Sequence, residues 1–234
     1  SIVNELRQKT GAGLMDCKKA LTETGGDMEK AIDFLRKKGA KVAALRSERD
    51  AKEGAAIAIT NSTGTKGVAV NLGCETDFVA KNDDFVSTAK SFAEAGLNNN
   101  SNSLEELMNV QMNGSTVGDK VNDMVGKIGE KIQLKKYEVV EGEYVVPYIH
   151  LGNKIGVLIA FNKPKNEKLE QAGKDLAMQI AAMNPVAIDK DGVSQEIITR
   201  EMEIAKDKMR AEGKPENMLD KIAQGAVQKF FKES

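Results

Sequence analysis

One pattern constrains the fold of this chain more than any other: two β-type runs followed by a helical run occur twice. The first two runs, GAAIAIT and KGVAVNLGC, are joined by NSTGTK, whose residues are typical of a hairpin loop. The second two, YVVPYIH and KIGVLIAFN, are predicted to turn at residues 151–153. Because GVAVNLGC is echoed by IGVLIAFN, we interpret the pattern as a weak internal duplication: an α+β core of two related subdomains with antiparallel sheets.

A helical pattern follows each pair of strands. After the first pair, Asn82 or Asp83 is predicted to cap a helix with one apolar face, formed by Phe85, Val86, Ala89 and Phe92. After the second pair, a helix predicted over about residues 167–183 turns three apolar residues inward, namely Leu169, Leu176 and Ile180. Between these helices, composition predicts a flexible loop in NNNSNS, then two shorter helices ending at VGKIGEKI, and then a strand in IQLKKYEVVEG.

The first 53 residues have a helical pattern instead. Three short helices are predicted, the first with apolar residues at Ile2, Val3 and Leu6 and a break at TGAG. MDCKKAL lies in the second helix. Asp27 is predicted to cap the third, and Gly39 to close it.

The TGAG loop is followed by two large apolar residues, Leu14 and Met15. The loop lacks the Lys-Ser/Thr ending of a phosphate-binding loop and follows a helix rather than a strand, which argues against a nucleotide cradle. A core this small does not easily hold both side chains, so we expect one of them to remain on the surface as a contact.

The last segment has two heptad-like series of apolar residues. They are Ile198, Met202, Ala205 and Met209, and Leu219, Ala223, Ala226 and Phe230. Gly213 and Pro215 lie between the series and are typical of a helix end and a helix start. The pattern predicts an antiparallel, coiled-coil-like helical hairpin. We therefore divide the chain into a helical module with a basic linker (1–53), two core subdomains (54–141 and 142–190) and the hairpin (191–234).

Charge is unevenly distributed in this chain of 234 residues, whose net charge is −1. The segment RKKGAKVAALRSERDAK, residues 36–52, has seven basic and two acidic residues. It fits a solvated linker helix better than a surface for an acidic partner or an RNA backbone, and it lacks interleaved aromatic residues for base stacking. With two cysteines far apart and no apolar run of membrane-spanning length, a cytoplasmic protein that binds neither membrane nor nucleic acid directly is expected.

Candidate enzyme chemistry is sparse. His150 is the only histidine, and neither Cys17 nor Cys74 has a second cysteine or a histidine at metal-ligand spacing. Asp83 and Asp84 form a carboxylate pair, but adjacent acids at a helix start usually serve capping. Both cysteines are expected to be buried, and His150 fits a core position and a surface contact equally well.

Phe78 lies where the chain leaves an apolar run, in LGCETDFVAKNDDF. On the residues alone, burial of this ring in the core is slightly favoured over exposure. An exposed ring at a rigid strand-to-helix corner would instead be a strong candidate for a binding hot spot.

Two strings in this chain carry a resemblance to a known family. LRQKTGAGLMDCKKAL, residues 6–21, and CETDFVAK, residues 74–81, resemble the two signatures of bacterial elongation factor Ts, at the separation that the family shows. The resemblance extends over essentially the whole chain and implies an N-terminal module similar to a ubiquitin-associated domain. Gly73 departs from it, since relatives usually have Asn there, and many relatives continue beyond KFFKES with a segment that contacts the partner.

The resemblance implies a translation factor that promotes exchange of GDP for GTP on the GTPase elongation factor Tu. Asp77 and Phe78 would enter the G domain of that partner, where the phenyl ring disturbs the shell of the Mg²⁺ that helps to hold GDP. The other implied partner-binding residues lie in the first signature and in two shorter matching strings: Arg7, Leu14, Met15 and Lys18, then Ile128 and Gly129, then His150. Such a role is non-covalent, and no catalytic residue, cofactor or metal of its own is expected.

Two other classes of function are kept as alternatives. The first is an adaptor that binds ubiquitin or RNA through the N-terminal module and its linker. The second is an enzyme that uses Cys74 or the Asp83–Asp84 pair. The resemblance also leaves open whether the chain forms a homodimer or a one-to-one pair with the GTPase.

Overall fold

The computed structural model describes residues 1–233 and divides the chain into two compact units, Ser1–Met178 and Gln179–Ser234. The α-helices are α1 Ile2–Thr10, α2 Leu14–Glu23, α3 Met28–Leu45, α4 Asp77–Ala80, α5 Asp83–Asn98, α6 Leu104–Asn109, α7 Val117–Ile128, α8 Glu167–Met183, α9 Gln195–Ala211 and α10 Glu216–Glu233. The strands are β1 Glu53–Thr60, β2 Lys66–Cys74, β3 Gln111–Met112, β4 Ser115–Thr116, β5 Gln133–Glu141, β6 Tyr144–His150 and β7 Ile155–Phe161. Helices at both ends and small antiparallel sheets between them make this a mixed α+β chain. The division into four segments and two related subdomains stays a prediction.

The three N-terminal helices enclose a small core of their own. Its buried residues are Leu6, Cys17, Ala20, Leu21 and Ala31. Gly11, with φ of 65°, ends α1 in the left-handed conformation that glycine adopts at least cost. The carboxylate of Asp27 accepts the N–H of Lys30 at 3.0 Å, which confirms the predicted N-cap of α3.

Gly39 does not close the third helix, so that prediction was wrong. α3 continues to Leu45, and Gly39 is buried where α3 packs against α7. A Cβ atom placed on Gly126 of α7 would lie 2.9 Å from the Cα atom of Gly39. The glycine therefore serves close packing of two helices rather than a helix end, because the absent side chains let the backbones meet.

The larger sheet has the antiparallel order β1-β2-β5. Asn61 holds the predicted β1–β2 turn, because its side-chain oxygen accepts the N–H groups of Thr65 and Lys66 at 2.9 and 3.1 Å. Helix α5 packs on this sheet and begins at Asn82, which accepts two backbone N–H bonds as the predicted cap. The buried side chains of α5 include three of the four predicted positions, Phe85, Ala89 and Phe92, while Val86 is half-buried.

Strands β6 and β7 form a second antiparallel pair, with Tyr144 opposite Phe161 and His150 opposite Ile155. Helix α8 approaches this pair through Gly173, where a Cβ atom would lie 2.7 Å from the side chain of Val146. Leu176 was predicted to face inward but is 43% exposed, because the buried positions of α8 are the small residues Gly173 and Ala177. Leu169 and Ile180 are half-buried.

The second unit contains the predicted helical hairpin. Lys206 bonds Asp220 at 2.8 Å and Arg210 bonds Glu216 at 2.9 Å, a pairing that only antiparallel helices allow. On α10 the buried residues are Leu219, Ala223 and Val227, with Ala226 and Phe230 half-buried beside them. The four predicted seam residues of α9 are half-buried.

Candidate functional site

Phe78 lies on α4, a single helical turn between β2 and α5, and its ring is 84% exposed. The slight preference for burial that the residues alone gave was therefore wrong. The physical reason is local: Ala80, two residues further along the turn, and Phe85 fill the core beneath the corner. Because positions two apart on a helix point in nearly opposite directions, the ring of Phe78 is directed into solvent.

Two glutamates hold this corner by reciprocal hydrogen bonds. The carboxylate of Glu130 accepts the backbone N–H groups of Glu75 and Thr76, each at 3.1 Å, and the hydroxyl of Thr76 at 2.7 Å. In return, the carboxylate of Glu75 accepts the backbone N–H of Lys131 at 2.6 Å. The segment that leads into α4 and the loop that follows α7 are thus tied to each other through charge-assisted bonds, which are the stronger class of hydrogen bond.

Glu75 is further bound by two arginines of the basic segment. Arg46 and Arg49 donate to its two carboxylate oxygens at 2.8 and 3.1 Å. The N–H of Lys131, more than the arginines, lowers the pKa of Glu75 to about 2. The side chain of Lys131 donates to the carbonyl groups of Ser47 and Arg49, so part of the basic segment is fixed within the chain itself.

Asp77, beside the exposed ring, is a surface charge. The ammonium group of Lys81, one turn away, bonds its carboxylate at 2.7 Å. That hydrogen bond and the positive charge of Lys81 hold the pKa of Asp77 below its ordinary value. Asp77 therefore stays ionised at neutral pH beside the ring.

An apolar groove of about 360 Å³ lies next to the corner. Its apolar lining is formed by Phe78, Val79, Phe85, Met124 and Ile128. Ile128 is thereby brought to the same surface as Phe78, although 50 residues separate the two in sequence. Gly129 follows with φ of 78° and ends α7, a conformation that explains glycine at this position.

His150, at the end of β6, is half-buried and accepts or donates a hydrogen bond at Nδ1 with the hydroxyl of Tyr148, 2.9 Å away. Leu151 in the following turn is 77% exposed. Lys154, after that turn, forms an ion pair with Glu53, which lies opposite Cys74 at the end of β2. The positive charge of Lys154 also contributes to the lowered pKa of Asp77.

The predicted residues of the first signature form a separate surface on α1 and α2. Arg7, Leu14, Met15 and Lys18 are all exposed, with Leu14 at 50% and Met15 at 73%. The residue pattern predicted one of Leu14 and Met15 on the surface, but both are there, because the small core beneath them is already filled by Cys17 and Ala20. None of the four lines the groove at Phe78.

Cys74 does not have the surroundings of a nucleophile. It is fully buried, and its thiol donates to the carbonyl of Thr76 at 3.2 Å. Burial, and then the charge of Glu130, raises the pKa of Cys74 to about 11, so it remains a thiol at neutral pH. Asp83 and Asp84 lie in the first turn of α5, exposed to solvent.

Comparison with known proteins identifies the family. Residues 75–234 match the family model described as elongation factor TS. Proteins named elongation factor Ts from Christiangramia forsetii and Amoebophilus asiaticus are 55% and 53% identical over 232 residues, which is 99% of this chain and 84% of each relative. The protein of that name from Chlorobium phaeobacteroides is 45% identical over 237 residues, which is 99% of this chain and 82% of the relative.

The chain belongs to the elongation factor Ts family. The family name is that of a translation elongation factor, so the chain is assigned to protein biosynthesis. Within the part of this elongation factor Ts chain that the structure describes, no helix combines the length and apolar character needed to cross a membrane.

Sequence reasoning missed two residues that build the site of this elongation factor Ts chain, Glu75 and Glu130. Each lies inside a string that was singled out, Glu75 in CETDFVAK and Glu130 in KIGEKI. A lone glutamate in a loop is usually solvated, and only its distances to the opposite backbone reveal its role. The signal available in the sequence was position: Glu75 lies two residues before Asp77, and Glu130 directly follows Gly129, both of which were already candidate contact residues.

Proposed function

We propose that this elongation factor Ts chain is a guanine nucleotide exchange factor, which binds GDP-loaded elongation factor Tu and promotes release of GDP. Phe78 inserts into the G domain of the partner and disturbs the site that holds Mg²⁺ and the phosphates of GDP. GTP then binds the emptied partner and displaces the factor. The observation that carries the proposal is the ring of Phe78, exposed at 84% on a corner that hydrogen bonds hold rigid.

The energetics of this role require no covalent chemistry. The factor and GDP each weaken the binding of the other, and linkage makes the two weakening factors equal. A rigid aromatic ring suits this task, because it presents a large contact area at a small cost in conformational entropy. Asp77 adds an ionised carboxylate beside the ring, and the high pKa of Cys74 gives no support to the rival enzyme hypothesis.

The remaining contact residues are proposed to act in two groups. The first group is Ile128, Gly129 and His150, which would bear on the partner near its nucleotide site; Ile128 lines the groove beside Phe78 and supports this grouping. Arg7, Leu14, Met15 and Lys18 belong to the N-terminal surface and would bind the partner elsewhere. Exposure of Leu14 and Met15 supports the second assignment, since two apolar side chains in solvent are suited to a partner.

Replacement of Phe78 by Ala tests this proposal. Because hot-spot truncations cost 2 kcal/mol or more, we expect release of labelled GDP from elongation factor Tu to slow by at least about tenfold. Stopped-flow fluorescence with a saturating amount of the variant measures the rate. The fold should be unchanged, because the ring packs on little of its own chain.

The matched control is Ile188→Ala, which removes a fully exposed apolar side chain in the other compact unit. It should leave the release rate at the parental value. A Phe78→Ala chain that is folded, by circular dichroism, and promotes GDP release as fast as the parent would refute the proposed role of Phe78.

A further inference from the structure

We propose that Glu130 is a positioning residue that holds the ring of Phe78 in solvent and keeps it out of the apolar groove beside it. The consequence for nucleotide exchange rests on the function proposed above, whereas the position of the ring concerns this chain alone. Glu130 binds the backbone that enters the helical turn under the ring, and a groove beside the ring offers it another position.

The corner that carries Phe78 has limited internal support: the exposed Lys81–Asp77 ion pair, the weak thiol bond of Cys74 to Thr76 and the buried Ala80. α4 is one turn of four residues, and its N-cap, Thr76, makes no side-chain bond to the helix. The hydroxyl of Thr76 donates to Glu130 instead. Because the ring of Phe78 is 84% exposed, packing of the ring itself contributes little to fixing its direction. The direction of the ring therefore depends on the backbone that enters the turn.

Glu130 fixes that backbone from outside. A single carboxylate accepts three hydrogen bonds at 2.7–3.1 Å from two consecutive residues, Glu75 and Thr76, that lie 54–55 positions earlier in the chain. The loop that bears Glu130 is itself held, because Lys131 donates its N–H to Glu75 at 2.6 Å. Removal of the Glu130 carboxylate would release both backbone N–H groups at once and loosen the backbone that enters α4.

The ring has an alternative position with partly apolar surroundings. The groove of about 360 Å³ beside it is lined by Val79, Phe85, Met124 and Ile128, and at its polar side by Asn82, Asp84, Thr88 and Lys127. The hydrophobic effect favours moving an exposed phenyl ring into such a groove. A ring buried there would be withdrawn from any partner. The three hydrogen bonds that Glu130 accepts, which we call the Glu130 clamp, oppose this movement of the ring into the groove.

A tryptophan at position 78 reports the location of the ring, because the chain contains no other tryptophan. In Phe78→Trp we expect red-shifted emission and efficient acrylamide quenching, as for an indole in water. Adding Glu130→Ala should shift the emission to the blue and lower the quenching constant by roughly twofold or more, since the ring becomes shielded from solvent.

Three further variants separate positioning from general stability. Glu130→Gln keeps an acceptor for the two N–H groups and a donor for Thr76, so it should restore the emission of Phe78→Trp alone. Thr76→Val removes only the bond from the hydroxyl and should give a partial shift. Glu138→Ala, which removes an exposed glutamate of β5, should give none.

Thermal melting by circular dichroism identifies which variants fold. If Glu130→Ala does not fold, Thr76→Val decides the question, because it is nearly isosteric and deletes one bond of the clamp. A folded Glu130→Ala or, failing that, Thr76→Val whose indole remains as red and as easily quenched as that of Phe78→Trp alone overturns the proposal.

A double-mutant cycle links the position of the ring to exchange. Glu130→Ala should slow GDP release from elongation factor Tu by about tenfold, and adding it to Phe78→Ala should slow release no further. If Phe78→Ala alone leaves the rate unchanged, the proposed function fails while the fluorescence result stands. If Phe78→Ala slows release and Glu130→Ala adds its full effect on top, Glu130 does not act through the ring, and the positioning role is wrong.

Discussion

At the scale of single residues, the Phe78 corner combines an exposed apolar ring with two carboxylates whose hydrogen bonds are made within the chain. Leaving most of a phenylalanine side chain in water forgoes about 2 kcal/mol that burial would return. The carboxylates of Glu75 and Glu130 behind it are fully bonded instead: together they accept six hydrogen bonds, from backbone, arginine and hydroxyl donors. A partner that covers the ring therefore recovers apolar free energy without having to desolvate these carboxylates.

The carboxylate of Glu75 gives a pH-dependent prediction. Its pKa of about 2 in the folded chain lies below the ordinary value of 4.5. The corresponding stabilisation is complete above pH 4.5 and is lost as the pH falls towards 2, because the unfolded chain binds the proton more tightly. We expect a carbon-13 NMR titration to place the midpoint of the Glu75 carboxyl group near 2.

Glu75→Gln is the control for that titration. The variant should be less stable than the parent at pH 7, and the gap between the two should narrow between pH 4.5 and pH 2 as the parental carboxylate is protonated. A Glu75 midpoint at 4 or above would contradict the strong hydrogen bond from the N–H of Lys131.

At the scale of helices and strands, the predictions succeeded where the deciding contacts are local. Asp27 and Asn82 cap their helices, and Asn61 closes its hairpin, through bonds within a few residues. Gly39 was assigned wrongly because its role is set by Gly126, far along the chain. In the site, the exposure of Phe78 could not be derived from hydrophobic periodicity. The hydrogen bond between the Glu75 N–H and the Glu130 carboxylate joins residues 55 positions apart, which no local sequence pattern reveals.

The crossing of α3 and α7 yields a prediction at this scale. In Gly126→Ala the new methyl group would lie 2.9 Å from the backbone of Gly39, so the helices must separate. Overpacking of this kind costs about 1–3 kcal/mol, against a gain of up to about 1 kcal/mol in helix propensity. We expect a net loss of stability, measured by urea unfolding.

Gly225→Ala is the matched substitution for that experiment. Gly225 lies inside α10, and a methyl group there would meet nothing within 4 Å. Helix propensity then acts alone, and the variant should gain up to about 1 kcal/mol. Equal gains in the free energy of unfolding for Gly126→Ala and Gly225→Ala would show that the α3–α7 contact accommodates a methyl group, contrary to the prediction.

At the scale of the whole molecule, both proposed contact surfaces lie on the same compact unit, Ser1–Met178. The α3–α7 crossing and the bonds of Arg46 and Arg49 to Glu75 attach the N-terminal helices to the part of the unit that carries Phe78. Two surfaces on one compact unit allow separate contributions to the binding of the partner. The N-terminal surface can supply binding free energy that is independent of the nucleotide, while the corner supplies the part that opposes GDP.

This division predicts different kinetic effects for the two surfaces. The double variant Leu14→Ala/Met15→Ala should raise the factor concentration that gives half-maximal GDP release and leave the maximal rate unchanged, because uniform binding does not alter a barrier. Phe78→Ala should lower the maximal rate itself. Stopped-flow release of labelled GDP, measured over a range of factor concentrations, separates the two quantities. Leu45→Ala, which truncates another exposed residue of the N-terminal helices at 76% exposure, should change neither. A fall in the maximal rate for Leu14→Ala/Met15→Ala at saturation would mean that the N-terminal surface also acts on the nucleotide site, and the division of work between the surfaces would then be wrong.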